Sequence, residues 1–170
     1  KDGLEPDLVE IGPNMWNLYP KTMIESINWI GSTSIFGALN KRNSRLFAAD
    51  IQTAIERLQF KNFILFNDSS MFLVLHLKAC LNPEVYVYYM RDYLVKVPYW
   101  KKHGERIEPQ LIKSADVIVN NSVLYTEYGA QFNPNSFMVG QGCDVSLFND
   151  EKNSIQIPDE FSKIRKPDRK

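Results

Sequence analysis

The chain has 170 residues, of which 44% are hydrophobic and 24% are charged. That length suits one well-buried domain and is too short for two ordinary ones. Twenty basic residues balance twenty acidic ones, which argues against a nucleic-acid-binding protein because such proteins carry a basic excess. No apolar run approaches the roughly 20 residues that a helix needs to span a bilayer.

The two cysteines, Cys80 and Cys143, are too few for a disulfide framework. They suit a reducing compartment, as free thiols or as a single bridge, and we expect a cytoplasmic protein. The two histidines, His76 and His103, have no cysteine or carboxylate at ligand spacing, so we expect no metal site. The first residue is Lys1 and no signal-like segment follows it, which predicts an internal piece of a longer protein.

The first part of the chain predicts two short strands, a loop and a helix. Residues 8–11 fit a short strand, and residues 15–19 alternate in polarity and end at Pro20, as a strand with one buried face does. Residues 21–41 are irregular and contain several glycines, serines and threonines, so we expect a loop whose apolar side chains pack. Asn43 or Ser44 then caps a helix. Its apolar residues share one helical face: Phe47, Ile51, Ala54, Ile55 and Leu58.

Further along, apolar runs alternate with helical patterns. The predicted strands cover residues 62–66, 85–90, 115–119 and 136–139. The predicted helices are residues 71–81, a segment with Ile107, Leu111, Ile112 and Ala115 on its inner face and Pro109 near its first turn, and residues 123–132. Such alternation predicts an α/β fold, with a Rossmann-like parallel sheet and helices on both faces.

The surroundings of the two histidines differ. His76 lies mid-helix among leucines, and we interpret it as a buried, hydrogen-bonded core residue. His103 stands beside Gly104 and two lysines, which favours an exposed side chain over one that faces a ligand.

Polar side chains follow three successive strands of the predicted sheet. They are Asn67 and Asp68, then Arg91 and Asp92, then Asn120, Asn121 and Ser122. Ligands of open parallel sheets sit outside the carboxyl ends of the strands, so these residues predict a rim that binds hydroxyl groups. The Arg91-Asp92 pair fits a strand-end salt bridge and a polar anchor for substrate hydroxyls equally well. For Ser122 the pattern favours a helix cap over a ligand contact.

Phosphate-binding sequences are missing from the chain. There is no glycine-rich phosphate loop, no nucleophile elbow and no dinucleotide fingerprint. Gly140-Gln141-Gly142 is only a G-x-G, and no apolar helical pattern follows it.

Three segments, taken in order, resemble the N-terminal half of GT-B glycosyltransferases. They are Tyr88-Tyr89-Met90-Arg91-Asp92, Ser114-Ala115-Asp116-Val117-Ile118-Val119-Asn120-Asn121-Ser122, and Val139-Gly140-Gln141-Gly142-Cys143-Asp144 with Phe148. They are similar to the retaining "glycosyl transferases group 1" type with a family-4-like N-terminal domain, over roughly residues 43–167. The chain departs from that pattern at Gln141 and Cys143, where the family has Asn and Val. Nothing matches the family's first strand with its glycine-containing loop.

The resemblance implies a domain organisation. Residues 1–160 would form the acceptor-side domain of a two-domain GT-B protein without its first strand, and residues 161–170 would begin the interdomain linker. The missing C-terminal domain would bind the nucleotide-sugar donor. The whole protein would transfer a sugar to a hydroxyl of a sugar or lipid-linked sugar, in the cytoplasm or at a membrane surface, without a resident cofactor. The isolated chain would be inactive.

The resemblance also implies roles for individual residues. Arg91 and Asp92 would face the cleft between the domains, and Gly142 and Asp144 would lie close to the interdomain boundary. The rim would be lined by Asn67, Asp68 and Ser122. No residue is assigned as the catalytic base.

Two other functions fit the predicted fold. One is a non-enzymatic α/β module that binds a small polar ligand or a protein partner, in which the strand ends need not share a cleft. The other is a different Rossmann-type enzyme, such as a relative of nucleotide-sugar epimerases, and the missing dinucleotide fingerprint argues against it.

Overall fold

A computed structural model of the chain describes residues 7–142. Residues 7–140 belong to one compact unit, and Gln141 and Gly142 lie outside it. Cys143, Asp144 and the remainder of the third glycosyltransferase-like segment lie outside the described residues. Within the described part, no helix has the length and apolar character that crossing a bilayer requires.

The two predicted N-terminal strands form an antiparallel hairpin. Strand β1 is Asp7–Gly12 and β2 is Met15–Tyr19, and Asp7 pairs with Tyr19. The turn between them places Asn14 at φ 57°, a left-handed conformation that asparagine tolerates better than most side chains. The hairpin is a separate two-stranded sheet.

A four-stranded parallel sheet forms the centre of the unit and confirms the four predicted strands. In spatial order it contains β3 (Ile64–Asp68), β4 (Val85–Met90), β5 (Val117–Asn120) and β6 (Ser136–Met138). The helices are α1 (Thr33–Arg57), α2 (Leu77–Leu81), α3 (Pro98–Ser114) and α4 (Val123–Ala130). This α/β arrangement is compatible with a Rossmann-like fold.

Helix α1 begins ten residues before Asn43, the first of the two predicted caps, so residues 33–41 at the end of the predicted loop 21–41 are helical. Ser32 is the cap, and its hydroxyl accepts a hydrogen bond from the Ile35 amide at 3.4 Å. Asn43 is buried inside the helix and donates from Nδ2 to the Glu25 carbonyl at 3.1 Å. Asn40 donates in the same way to the Phe72 carbonyl at 2.8 Å. The predicted start of the helix was wrong because Asn43, which resembles a cap in the sequence, instead holds a neighbouring loop against the helix, as Asn40 also does.

The next two helices differ from their predictions in opposite directions. Helix α2 covers only residues 77–81, and residues 72–76 form turns that leave His76 half-buried at its N-cap. Helix α3 starts at Pro98, which suits a first helical position because its φ is already helical. Pro109 therefore lies inside α3 and not near its start. Charged residues at positions 101, 102, 105 and 106 had hidden the apolar face of that helix in the sequence.

One face of the parallel sheet carries the hydrophobic core. Tyr86, Tyr88, Met90 and Ile118 point to this face and are at most 1% exposed. All four helices contribute side chains to the same cluster. We predicted helices on both faces of the sheet, but the helices of residues 7–142 pack on one face. Strands that step in one direction through right-handed crossovers place every connecting helix on the same side.

Candidate functional site

The carboxyl ends of β3 and β4 meet in a small cluster of charged side chains. Arg91 Nη1 lies 3.2 Å from Asp68 Oδ2, and Arg91 Nε lies 3.5 Å from Asp92 Oδ2. The three side chains are 46%, 46% and 61% exposed. A strand-end salt bridge thus exists, yet its hydrogen-bonding atoms remain open to solvent and to a ligand. We call these three residues the rim.

Ser69 holds the two strand ends of the rim together. Its amide donates to the Tyr89 carbonyl at 2.9 Å, and its hydroxyl donates to the same oxygen at 3.2 Å. The hydroxyl also accepts a hydrogen bond from the Arg91 amide at 3.1 Å. Ser69 adopts φ 55°, a conformation that costs a side-chain-bearing residue roughly 1–3 kcal/mol and is found often at functional sites. The turn that follows Asp68 is therefore fixed relative to β4.

Asn67 lies beneath this turn and is buried. Its Nδ2 donates to the Ser70 carbonyl at 2.9 Å and to the Tyr86 hydroxyl at 3.2 Å, while its Oδ1 accepts from the Ser70 amide at 3.1 Å. Asn67 thus positions Ser70, and its own amide faces the protein interior.

Two polar residues at the end of β5, Asn120 and Ser122, make hydrogen bonds that stabilise the fold. Asn120 is buried and donates from Nδ2 to Ser136 Oγ at 3.1 Å and to the Phe137 carbonyl at 3.3 Å. Ser122 caps α4, as predicted, by accepting a hydrogen bond from the Tyr125 amide at 3.3 Å. Gly142 is exposed, and Asp144 lies outside the described residues. Of the seven predicted site residues, the structure brings together Asp68, Arg91 and Asp92, with Asn67 directly below.

A pocket of about 260 Å³ lies beside the same turn. Its walls come from residues 24–28, from Asn40 and Asn43 on α1, from the segment Ser70, Phe72 and Leu73, and from Tyr99 and Trp100 at the start of α3. Carboxamides dominate its polar groups, so we call it the amide pocket. It occupies the carboxyl end of the sheet, where α/β folds bind ligands.

Asn28 lines the amide pocket and has one buried polar atom without a hydrogen-bond partner in the described part of the chain. It is 7% exposed and donates from Nδ2 to the Tyr99 carbonyl. Its Oδ1 is buried and has no hydrogen-bond partner among residues 7–142. Nearby, the hydroxyls of Ser26 and Tyr99 lie 3.4 Å apart at the exposed side. Aromatic rings form another wall, with the centroids of Phe72 and Trp100 5.0 Å apart.

His103 supports the loop that forms the pocket, and the expectation that it is exposed was wrong. It is 1% exposed, and its ring stacks on Phe36 with centroids 3.7 Å apart. Its Nε2 donates to the Ile30 carbonyl at 2.9 Å, because a carbonyl can only accept. Burial lowers the pKa of His103, and the hydrogen bond to the Ile30 carbonyl opposes that shift. The loop before α1 packs on this face of α3, a contact that no local sequence pattern predicts.

His76, in contrast, is less buried than we predicted, because it lies at the N-cap of α2. Burial lowers its pKa, and the charges of Lys41 and Arg45 lower it further. Neither histidine touches the rim or lines the amide pocket. Within residues 7–142, no group of three or more potential metal ligands comes together.

The sequence analysis did not predict one buried acid. Glu108 is fully buried on α3 and accepts hydrogen bonds from the Tyr128 hydroxyl at 3.2 Å and the Tyr88 hydroxyl at 3.5 Å. Burial raises its pKa, and the two tyrosine hydrogen bonds oppose that rise. It lies within the helix-covered core, away from the lining of the amide pocket.

Sequence reasoning found the rim because strand ends are readable from local patterns, and it missed the amide pocket because four separate segments form that cavity. The neighbouring aromatics Tyr99 and Trp100 were the only local sign of it.

Comparison of the chain with known protein families, with curated proteins and with solved structures gave no significant match.

Proposed function

We propose that this chain is the acceptor-side domain of a GT-B glycosyltransferase, which moves a sugar from a nucleotide-sugar donor to a hydroxyl group. The order of the three glycosyltransferase-like segments supports this proposal. So does the parallel sheet, whose carboxyl edge carries the rim. The observation that carries the proposal is the Asp68–Arg91–Asp92 cluster, which bridges two adjacent strand ends and stays accessible.

The chemistry of the rim suits a hydroxylated acceptor. An Arg91 N–H can donate to a sugar hydroxyl, and a carboxylate oxygen of Asp68 or Asp92 can accept from one. Arg91 is ion-paired with both carboxylates, and a neutral ligand adds no further charge to the rim. Ser69 and Asn67 fix the turn below them, which limits the entropy that binding would cost.

The donor would be bound elsewhere. This chain contains no phosphate-binding loop, and a nucleotide diphosphate needs either such a loop, a free helix N-terminus or cationic side chains. A second domain that follows the chain in a longer protein would supply that site. We therefore expect the isolated chain to bind acceptor and to lack transferase activity.

A non-enzymatic partner-binding module is the second candidate, and the uncovered face of the sheet favours it. Ile64 and Phe66 are 65% and 57% exposed on that face. Exposed apolar surface of this kind is frequent where another protein or domain packs. A stable complex of the isolated chain with a protein partner, without sugar binding, would favour this function.

Sugar transfer by a full-length protein that contains this chain tests the first proposal. We expect Arg91→Ala to lower kcat/KM for the acceptor by about tenfold to a hundredfold, since one or two charge-assisted hydrogen bonds are lost. The matched control is Arg42→Ala, an exposed arginine on α1, which should leave transfer unchanged. Nucleotide-sugar turnover by the isolated chain, or full activity of Arg91→Ala, would contradict the proposal.

A further inference from the structure

We infer that the amide pocket binds a single neutral, polyhydroxylated ring, such as a pyranose, and rejects phosphorylated ligands. This inference rests on the proposed function, because it assigns the acceptor's sugar ring to a defined site beside the rim. It follows from the size of the pocket, its unused buried acceptor, its aromatic wall and its lack of cations.

The size of the pocket limits the ligand to about one ring. Its volume of about 260 Å³ lies just below the range of roughly 300–1,000 Å³ that holds drug-sized ligands. A nucleotide, with base, ribose and phosphates, would exceed this space.

The buried oxygen of Asn28 calls for a hydrogen-bond donor. Buried polar atoms in native proteins are nearly always paired, yet Asn28 Oδ1 has no partner in the described part of the chain. Because Nδ2 is held by the Tyr99 carbonyl, the oxygen cannot exchange places with the nitrogen without losing that bond. A hydroxyl group can donate to this oxygen, whereas an anion such as phosphate brings mostly acceptors.

The opposite wall offers apolar contact. Phe72 and Trp100 are half-buried and lie with their ring centroids 5.0 Å apart. The C–H face of a pyranose is apolar and its edge is polar, so it matches a pocket with aromatic rings on one side and amides on the other.

The charges around the pocket exclude anions. None of its lining residues is a lysine or an arginine, and Glu25 is the one charged side chain among them. At the start of α3, the amides of Trp100 and Lys101 both donate to the Val97 carbonyl at 2.9 Å, so neither of these two amides is free to bind an anion. A phosphate would lose its hydration and meet a carboxylate.

The pocket and the rim share one structural support. Ser70 lines the pocket, and Asn67 bonds both its amide and its carbonyl. Asp68 precedes the same turn and pairs with Arg91. A ring in the pocket would therefore present one edge toward the rim, where the reacting hydroxyl is needed.

Binding of defined probes to the 170-residue chain tests the inference. We would titrate methyl glucoside, methyl galactoside and methyl mannoside, with glucose 6-phosphate and inorganic phosphate as anionic probes, by calorimetry and saturation-transfer NMR. We expect saturable binding of at least one methyl glycoside and none of either anion. Binding of phosphate, or of no methyl glycoside, overturns the inference.

Two substitutions locate that binding. Ser26→Trp places a bulky ring at the exposed mouth of the pocket and should abolish glycoside binding at an unchanged melting temperature. Asn28→Ala should weaken binding by about tenfold, the loss expected for one buried hydrogen bond. The control is Met23→Ala, an 86% exposed residue of the same loop that does not line the pocket. Unchanged binding in Ser26→Trp overturns the inference even if Asn28→Ala does not fold.

The result for the pocket can be separated from the result for the enzyme. If Arg91→Ala impairs transfer by the full-length protein while Ser26→Trp has no effect on glycoside binding, the pocket assignment fails and the proposed function stands. If Ser26→Trp abolishes glycoside binding and the full-length protein turns over no nucleotide-sugar, the pocket stands and the transferase assignment fails.

Discussion

The two faces of the parallel sheet differ sharply although the same strands form both. On the covered face, Tyr86, Tyr88 and Ile118 are at most 1% exposed. On the open face, the alternate residues Ile64 and Phe66 of β3 are 65% and 57% exposed. The strands are apolar on both sides, so strand composition did not create this difference. The topology did, because successive right-handed crossovers carry α2, α3 and α4 to one side, where α1 also packs.

The open face is apolar, and no helix of residues 7–142 covers it. Parallel sheets are normally buried on both faces. Among residues 7–142, β3 and β6 are both edge strands of this sheet.

The largest effect should come from the centre of the covered face. Ile118→Ala removes a fully buried side chain from β5 and should lower the free energy of unfolding by about 2–5 kcal/mol. Urea denaturation followed by circular dichroism measures this loss. A cost below that of an open-face substitution would contradict the comparison.

Replacement of the buried acid Glu108 should change the stability of the chain in a pH-dependent way. Burial raises the pKa of Glu108 in the folded state, so its contribution to stability is largest below its unfolded pKa and is lost as the pH rises through the folded pKa. Glu108→Gln removes this dependence while it can still accept a hydrogen bond from Tyr128. We expect the variant to be more stable than the parent chain at pH 8, by on the order of 1 kcal/mol, and this advantage to shrink by pH 5.

Thermal unfolding of both proteins across that pH range measures the effect. Glu105→Gln, an exposed acid on the same helix, is the matched control and should show no such trend. A stability difference that does not change with pH would show that the Glu108 carboxylate carries no burial cost.

A smaller effect is expected at the border of the covered face, where Asp116 joins α2 to the sheet. It accepts hydrogen bonds from Lys78 Nζ at 2.7 Å and from the Tyr86 amide at 2.8 Å, and these lower its pKa. Its contribution is therefore present above its unfolded pKa and is lost as the pH falls through the folded one. Asp116→Asn should cost about 0.5–1 kcal/mol at pH 7 and less than that at pH 3. A constant cost in chemical denaturation at both pH values would refute this assignment.

The smallest effect should come from the open face. Phe66→Ser removes a large apolar side chain that is already 57% exposed, so the free energy of unfolding should change by only about 0.5 kcal/mol. The variant should also bind less of a hydrophobic dye than the parent chain, since the open apolar surface is reduced. A loss of stability equal to that of Ile118→Ala would mean that this face is packed as tightly as the other.

Local patterns predicted the elements whose signal is carried by neighbouring residues. The alternation in β2 and the apolar runs of β3 to β6 gave the strands close to their observed bounds. Ser122 was predicted as a cap and is one. The start of α1 and the extent of α3 were missed, because buried Asn43 looked like a cap and exposed lysines masked the helical face around His103.

The same division applies to the candidate site. Asp68, Arg91 and Asp92 could be predicted because strand ends in a parallel sheet converge on one edge. The burial of Asn67 could not, since it depends on bonds to Ser70 and to the Tyr86 hydroxyl on the neighbouring strand. Asn28 had no local signal at all, because its partner Tyr99 is far away in the chain.

The sequence by itself determined the order of strands and helices, the α/β class and the polar ends of the strands. These depend on residues close together in the chain, through periodicity and capping. The tertiary structure alone decided which sheet face is covered, that His103 is buried against Phe36, and that four segments enclose the amide pocket. Those features depend on crossover handedness and on contacts between residues distant in the chain, which a one-dimensional pattern does not encode.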